Sequence, residues 1–351
     1  MKNYLLPFAA FALFFASCSS DDDNNTQVDP IVGNYAKGVL ITNEGPFMNG
    51  SGTVTYVSDD FTTVEQKIYK NVNGSDLGNI VQSMGFNNSD AYIVVSNSQK
   101  LMVADRYTFE KKDSIVSGFV NPRYFVSNGQ NQGYVTDWGD PMDDNDDFVA
   151  LIDLETNNVT STISVPFGPE KILNHEGSLY VAHPGGYGQN NLISVIVGNS
   201  VVKTITVGDV PVSMVVVGDN LYVLGNGKPD YSGEETAGSI TKISLSTNEV
   251  TETYTFNTTD HPQGLTAEGS QLYYNMNGTV YKLDAGDISL PGAPILDGFF
   301  YAMEVKDGLL YATDAKDYAS QGSLYVFDLS SNQQIQDIQT GIVPGGIYFN
   351  N

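Results

Sequence analysis

Short runs of apolar, β-branched and aromatic residues alternate with polar turns from about Gly38 to the last residue, and no amphipathic helical stretch of useful length interrupts them. The runs are strand-length, and the breaks between them carry turn dipeptides: Asn73-Gly74, Asn128-Gly129, Asn277-Gly278 and Asp307-Gly308. This pattern predicts an all-β chain of many short strands.

The strands recur in a fixed order. A phrase of Pro, two variable residues and an apolar residue begins at Pro122, Pro169, Pro211, Pro262 and Pro344, with Val81 and Phe300 in place of the proline in two further copies. The seven copies are separated by 41, 47, 42, 51, 38 and 44 residues. A Tyr-rich strand follows each phrase: Ala91-Tyr92-Ile93-Val94, Gly133-Tyr134-Val135-Thr136, Leu179-Tyr180-Val181-Ala182, Leu221-Tyr222-Val223-Leu224, Leu272-Tyr273-Tyr274 and Leu310-Tyr311-Ala312-Thr313. The seventh such strand, Val39 to Asn43, has no phrase before it, and the missing phrase is Pro344 to Phe349 at the other end. Repeats of this length and composition predict a seven-bladed β-propeller of four-stranded antiparallel blades over residues 37–351, closed by pairing the C-terminal strand with the N-terminal blade. Strands that run up and down in turn place each phrase, and the loop after each Tyr strand, on one face around the central channel. A ligand is expected there.

Composition narrows the partners. Forty-one acidic against 16 basic residues give a net charge of -25, which repels phosphate backbones and argues against nucleic acid. The one cysteine, Cys18, permits no internal disulfide and follows an apolar run, Tyr4 to Phe15, too short to span a bilayer. Small residues stand just ahead of it. Residues 1–17 resemble a bacterial lipoprotein signal, with Cys18 as the acylated residue and 18–36 as a tether. The acidic run Asp21-Asp22-Asp23 resembles the surface-export signal of Bacteroidetes lipoproteins. An outer-membrane lipoprotein facing the cell exterior is expected.

Tyr134-Val135-Thr136-Asp137, Val207-Gly208-Asp209-Val210-Pro211 and Gly341-Ile342-Val343-Pro344 resemble the YVTN-type repeats of YncE-like propellers. Asn43-Glu44-Gly45, Pro122-Arg123-Tyr124 and Asp314-Ala315-Lys316-Asp317-Tyr318 with Gln321-Gly322 are similar to the BtuG-type surface lipoproteins. That resemblance implies capture of cobalamin, as transported ligand rather than cofactor, and its transfer to a TonB-dependent outer-membrane transporter.

The candidate ligand-binding residues lie on the expected face. Trp138, the only tryptophan, follows the Tyr134 strand and suits stacking on a flat ligand. Arg123, Lys171, Gln263 and Tyr301 occupy variable slots of the phrases and should ring the channel; Arg123 is expected to pair with a neighbouring acid such as Asp137. Asp314, Lys316, Asp317 and Tyr318 form the loop after the last Tyr strand, either a polar site or a loop fixed by its own salt bridge. His183 falls on the same face. Asp137, Asp140, Asp143, Asp144, Asp146 and Asp147 crowd one loop, but their spacing fits no EF-hand, so a solvated acidic loop is expected rather than a metal site. Hydrolase, metalloprotease, thiol and phosphate-loop motifs are absent from the sequence. A binding module rather than an enzyme is expected; the alternatives are a metal-dependent extracellular hydrolase or lyase, and an adhesion propeller with a flat apolar face.

Overall fold

The computed structural model describes residue 1 and residues 33–350, so the signal segment, Cys18 and most of the tether lie outside the described residues. The rest forms seven four-stranded antiparallel sheets, the blades of a seven-bladed β-propeller. Each phrase opens or immediately precedes the innermost strand of a blade, and the Tyr-rich segment is the second strand throughout. In the second blade, for example, Val81–Asn87, Asp90–Val95, Lys100–Asp105 and Lys111–Ile115 lie in that order from channel to rim.

Position in the blade explains the residue pattern. Second strands are flanked by strands on both sides and by neighbouring blades on both faces, so Ala91 to Val95 are all buried, while the outermost Asn158–Ser164 exposes most of its residues. The repeated tyrosine ties blades together. Tyr92 Oη donates to Asn157 Oδ1 at 3.2 Å, Tyr180 Oη to Asn248 Oδ1 at 2.7 Å and Tyr222 Oη to the Ala285 carbonyl at 2.6 Å. In each case the acceptor lies in the outer turn of the next blade, so a long ring bridges the interface and its hydroxyl is satisfied at the far end. Apolar clusters likewise straddle neighbours: Tyr92, Val94, Leu101 and Val103 pack on Phe125, Val135, Ala150 and Ile152.

The first blade is composite. Gly38–Asn43, Thr53–Ser58 and Val64–Glu65 supply three strands, and Pro344–Asn350 supplies the innermost, paired Gly38 to Asn350 and Leu40 to Tyr348. Closure of the ring leaves no end blade with a bare edge.

Two local features depart from the sequence reading. Asn73-Gly74 does not join strands. It ends a six-residue helix, Ile68–Asn73, in the link from the first blade to the second, where Gly74 takes φ 68° and donates its N–H to the Lys70 carbonyl. Packing also reaches behind the expected boundary at residue 37. Tyr35 is buried edge-on against Tyr56 and Phe109, with centroids at 5.1 and 5.7 Å.

Candidate functional site

Most inner strands, though not Ile172–His175 or Ala302–Lys306, share a device that turns side chains toward the channel. Val81 pairs with Val95 but Ser83 with Val94, Pro211 pairs with Gly225 but Ser213 with Leu224, and Pro344 pairs with Asn43 but Gly346 with Thr42. Gln82, Val212 and Gly345, each the second residue of its phrase, are therefore the extra residues of β-bulges, and a similar slip falls between Pro122 and Phe125. A bulge breaks the alternation and re-aims the side chain. Here the phrases of all seven blades line one axial cavity of about 600 Å³.

Arg123, Lys171, Gln263 and Tyr301 all line that cavity, as the phrase positions predicted. Gln263 Nε2 donates to the Phe300 carbonyl at 3.1 Å. Arg123 does not pair with Asp137. Its Nε and Nη2 donate to the two carboxylate oxygens of Glu170, in the next blade, both at 2.9 Å. The guanidinium also lies 3.9 Å from the centroid of the Trp138 ring. Burial works against this cation, but Glu170 outweighs it and keeps the guanidinium charged. Trp138 itself does not line the cavity; it packs against the lining residue Arg123, with Tyr187 edge-on at 5.8 Å. Asp137 instead caps its own neighbourhood, accepting N–H groups from Val120, Asn121 and Gly139 at 2.9, 2.7 and 2.9 Å.

Tyr301 Oη donates to Glu44 Oε1 at 2.9 Å, and Tyr318 packs edge-on against Tyr301 at 5.7 Å. Burial pushes the Glu44 carboxyl up, and burial beside Glu44 pushes the Tyr301 phenol up. Glu304, deeper in the channel, accepts Thr266 Oγ1 at 2.9 Å and is pushed up by burial. Lys171 stands 4.2 Å over the Tyr124 ring. Burial disfavours its ammonium, but Tyr124, Tyr348 and Glu304 around it outweigh that and push it up.

The other candidates lie apart from the cavity. His183 is fully buried in the fourth blade with Nε2 2.9 Å from Ser194 Oγ, and burial pulls its imidazole down to about 4. Asp314 and Asp317 spend their oxygens on their own loop, on the N–H groups of Lys316 at 2.7 Å, Ala319 at 3.1 Å and Ser320 at 2.6 Å. Asx turns, not a salt bridge, fix that loop, and only its Tyr318 reaches the mouth residues.

Position, read further, finds the residues the sequence analysis missed. Glu44 follows Asn43 as Trp138 follows Asp137, each just past a second strand whose last side chain caps the preceding link: Asn43 Oδ1 accepts Gly341 N–H at 2.9 Å as Asp137 accepts Asn121. Glu304 and Tyr348 come directly after the four residues of their phrases, on the same side as the third by strand alternation. Glu170 is the second residue of the phrase that holds Lys171.

The acidic loop is not uniformly solvated. Asp137 and Asp147 are buried, and Asp147 accepts only the Gly168 N–H, at 3.0 Å, while its Oδ2 has no partner. Among the described residues no group of three or more His, Cys, Asp or Glu side chains is disposed to hold a metal ion. Burial, with Asp146, Asp137 and Asp144 nearby, raises the Asp147 carboxyl to about 7. Because the folded value lies above the unfolded 3.8, the stability tied to this group is complete only below the unfolded value, is lost as pH rises between the two, and is gone above 7. Urea midpoints should fall between about pH 4 and 7 and level off above. Asp147→Asn, which keeps an acceptor for Gly168, should flatten that fall and stabilise the protein at pH 8 by about 1–3 kcal/mol. A variant less stable than the parent at pH 8 would contradict this account.

Among the described residues the exposed aromatic side chains fall on one face. Phe47, Met142, Tyr187, Tyr231, Phe299 and Tyr318 are all exposed, and all sit in loops after second strands or in links between blades, on the channel-mouth side. Away from that side, Val197, Val202, Val250 and Ile335 are exposed, all aliphatic.

A family model described as Domain of unknown function (DUF5074) matches residues 37–349. No curated protein matches the chain. Among solved structures, it is similar to a functionally unknown protein from Desulfotomaculum acetoxidans (TM-score 0.64, 13% identity, covering 89% of this chain and 98% of that one). It is also similar to the Kuenenia stuttgartiensis hydrazine synthase (0.57, 17%, 76% and 90%). A third likeness is to the dihydro-heme d1 dehydrogenase NirN in complex with DHE (0.56, 12%, 92% and 76%). At such identities the likeness establishes the fold alone.

Proposed function

The chain belongs to the DUF5074 family, and we propose that it is a surface capture protein that takes a scarce nutrient, cobalamin or a related corrinoid, at the channel mouth and delivers it to a TonB-dependent outer-membrane transporter. One observation carries the reading: phrases from all seven blades converge on a single concave cavity whose lining combines hydrogen-bonding groups with the rings of Tyr124, Tyr301 and Tyr348, with Trp138 and Tyr318 packed against the lining residues Arg123 and Tyr301. Gln263, Tyr301 and the Arg123–Glu170 pair offer donors and acceptors to peripheral amides, and Trp138 and Tyr318 offer ring surface to a planar macrocycle. A concave mouth suits a small molecule better than the flat face expected of an adhesion module. The exposed aromatic and methionine side chains around it suit a protein partner that receives the ligand. The resemblance to BtuG-type lipoproteins supports the corrinoid, and acylation at Cys18 would tether the propeller to the outer membrane.

Trp138 supplies the test. A bound corrinoid absorbs where indole emits, so cyanocobalamin should quench its fluorescence saturably at one equivalent, and calorimetry should give the same stoichiometry. Quenching that stays linear in cyanocobalamin, with no heat of binding, would remove the corrinoid from this reading.

A further inference from the structure

Five charged side chains line the cavity: Arg123, Lys171, Glu44, Glu170 and Glu304. Four are engaged. Arg123 and Glu170 close a two-bond ion pair, Glu44 accepts from Tyr301, and Glu304 accepts from Thr266. Lys171 is the exception. Among the described residues no carboxylate forms a salt bridge with it, and its ammonium rests over the face of Tyr124 at 4.2 Å. An ammonium carries three donors and no acceptor, and a cation withdrawn from bulk water without an anion is costly to keep. The wall carboxylates are spent elsewhere, Glu44 on Tyr301 and Glu304 on Thr266, and Met84, Met214 and Met303 add apolar surface to the lining.

We propose that Lys171 is the floor of an anion subsite, which accepts one singly charged or strongly polarised oxygen acceptor, a carboxylate or an amide carbonyl, projecting from a ligand whose apolar body rests on the methionines. The charge count sets the limit of one. With Arg123 and Glu170 cancelling, the cavity retains Glu44 and Glu304 against Lys171, and Glu304 is near enough to influence the lysine. For a dianion such as phosphate the attraction to the lysine and the repulsion from the two glutamates both double, but the cost of desolvation grows with the square of the charge, so a monocarboxylate is favoured. A cationic ligand would have to displace or tolerate the ammonium. The cation–π seat on Tyr124 fixes where the ammonium stands without consuming its charge. The inference rests on the reading of this cavity as a ligand site and names the chemistry of its inner end.

Four probes of the purified protein test it: benzoate, its neutral isostere benzamide, benzylamine and inorganic phosphate, with affinities from ligand-observed NMR. Benzoate should bind at least ~10-fold more tightly than benzylamine or phosphate, with benzamide between. Lys171→Met should abolish the preference for benzoate and Lys171→Arg should keep most of it. Because Lys171→Met could perturb the fold, Glu304→Gln provides a second arm: removal of a repelling neighbour should tighten benzoate ~3-fold or more. Benzoate binding unchanged by Lys171→Met, preference for benzylamine or phosphate, or no benzoate binding would each overturn the subsite. The outcomes separate from the corrinoid test. Benzoate binding without cyanocobalamin binding keeps the subsite and removes the corrinoid, whereas the reverse removes the subsite and keeps capture.

Discussion

Deletion of Pro344–Asn351 is expected to abolish cooperative folding rather than to trim the domain. These residues supply the innermost strand of the first blade, and every residue of their partner strand Gly38–Asn43 is buried. Without them that strand becomes an unpaired edge facing the channel, and its own Leu40 and Ile41 are fully buried in the intact ring. The loss spreads beyond one blade. The Pro344 carbonyl accepts Thr313 Oγ1 at 2.7 Å from the seventh blade, Tyr348 Oη accepts Met84 N–H at 2.9 Å from the second, and Asn350 Nδ2 donates to the Arg106 carbonyl at 2.7 Å. Ile347 packs with Val39, Ile41, Tyr311 and Leu324 across the closing interface. The shortened chain should show strand signal by circular dichroism but no sharp thermal transition, and should bind dyes that report exposed apolar surface. Ile347→Ala, which keeps the strand and removes its anchor, should cost about 2–4 kcal/mol and leave a two-state transition. A truncated chain that melts at the parent temperature would show that the ring does not depend on this closure.

Much of this architecture was legible because it is written in short, repeated units. The tyrosine of each second strand recurs because each blade presents the same interface to the next, and the unmatched phrase at Pro344 and unmatched strand at Val39 showed how the ring closes. The placement of Arg123, Lys171, Gln263 and Tyr301 around the cavity follows from the same count. What escaped depends on contacts between blades. Arg123 was expected to take the acid nearest in its own blade, but Glu170 sits at the corresponding phrase position of the next blade, and inward turning brings those positions together. The helix Ile68–Asn73 is too short to leave a periodic trace and exists because Ile68 and Tyr69 are buried beneath it. His183 shares a face with the mouth in the strand count, yet its side chain lies within the packed blade against Ser194. Acid-rich composition in residues 137–147 suggested solvation, but single carboxylates there are consumed by backbone N–H groups, which composition does not reveal.

The Arg123–Glu170 pair should respond asymmetrically to the loss of either partner. Both side chains are largely withdrawn from water, 14% and 15% exposed, and they form two parallel hydrogen bonds. Glu170→Ala leaves a guanidinium that cannot discard its proton in a site shared with Trp138, and should cost about 3–5 kcal/mol at any pH between 5 and 8. Arg123→Met leaves a carboxylate, which can be neutralised by taking up a proton. Its cost should therefore be smaller at pH 5 than at pH 8, where the unpaired Glu170 must stay charged or bind a proton against the solution. The double replacement removes both desolvated charges and should lie within about 1–2 kcal/mol of the parent, so the coupling in a double-mutant cycle should be large and of the sign that marks mutual dependence. Urea denaturation at the two pH values measures all four proteins, and Trp138 emission gives an independent view, since Arg123→Met removes the cation 3.9 Å from its ring while Glu170→Ala does not. Additive single effects, or a Glu170→Ala cost that vanishes at pH 8, would mean that the pair is solvated in solution and the mouth is open to water down to the second residue of its phrases. A mutually dependent pair means instead that Arg123 and Glu170 hold each other rigidly and that the Trp138 ring beneath the guanidinium is fixed with them.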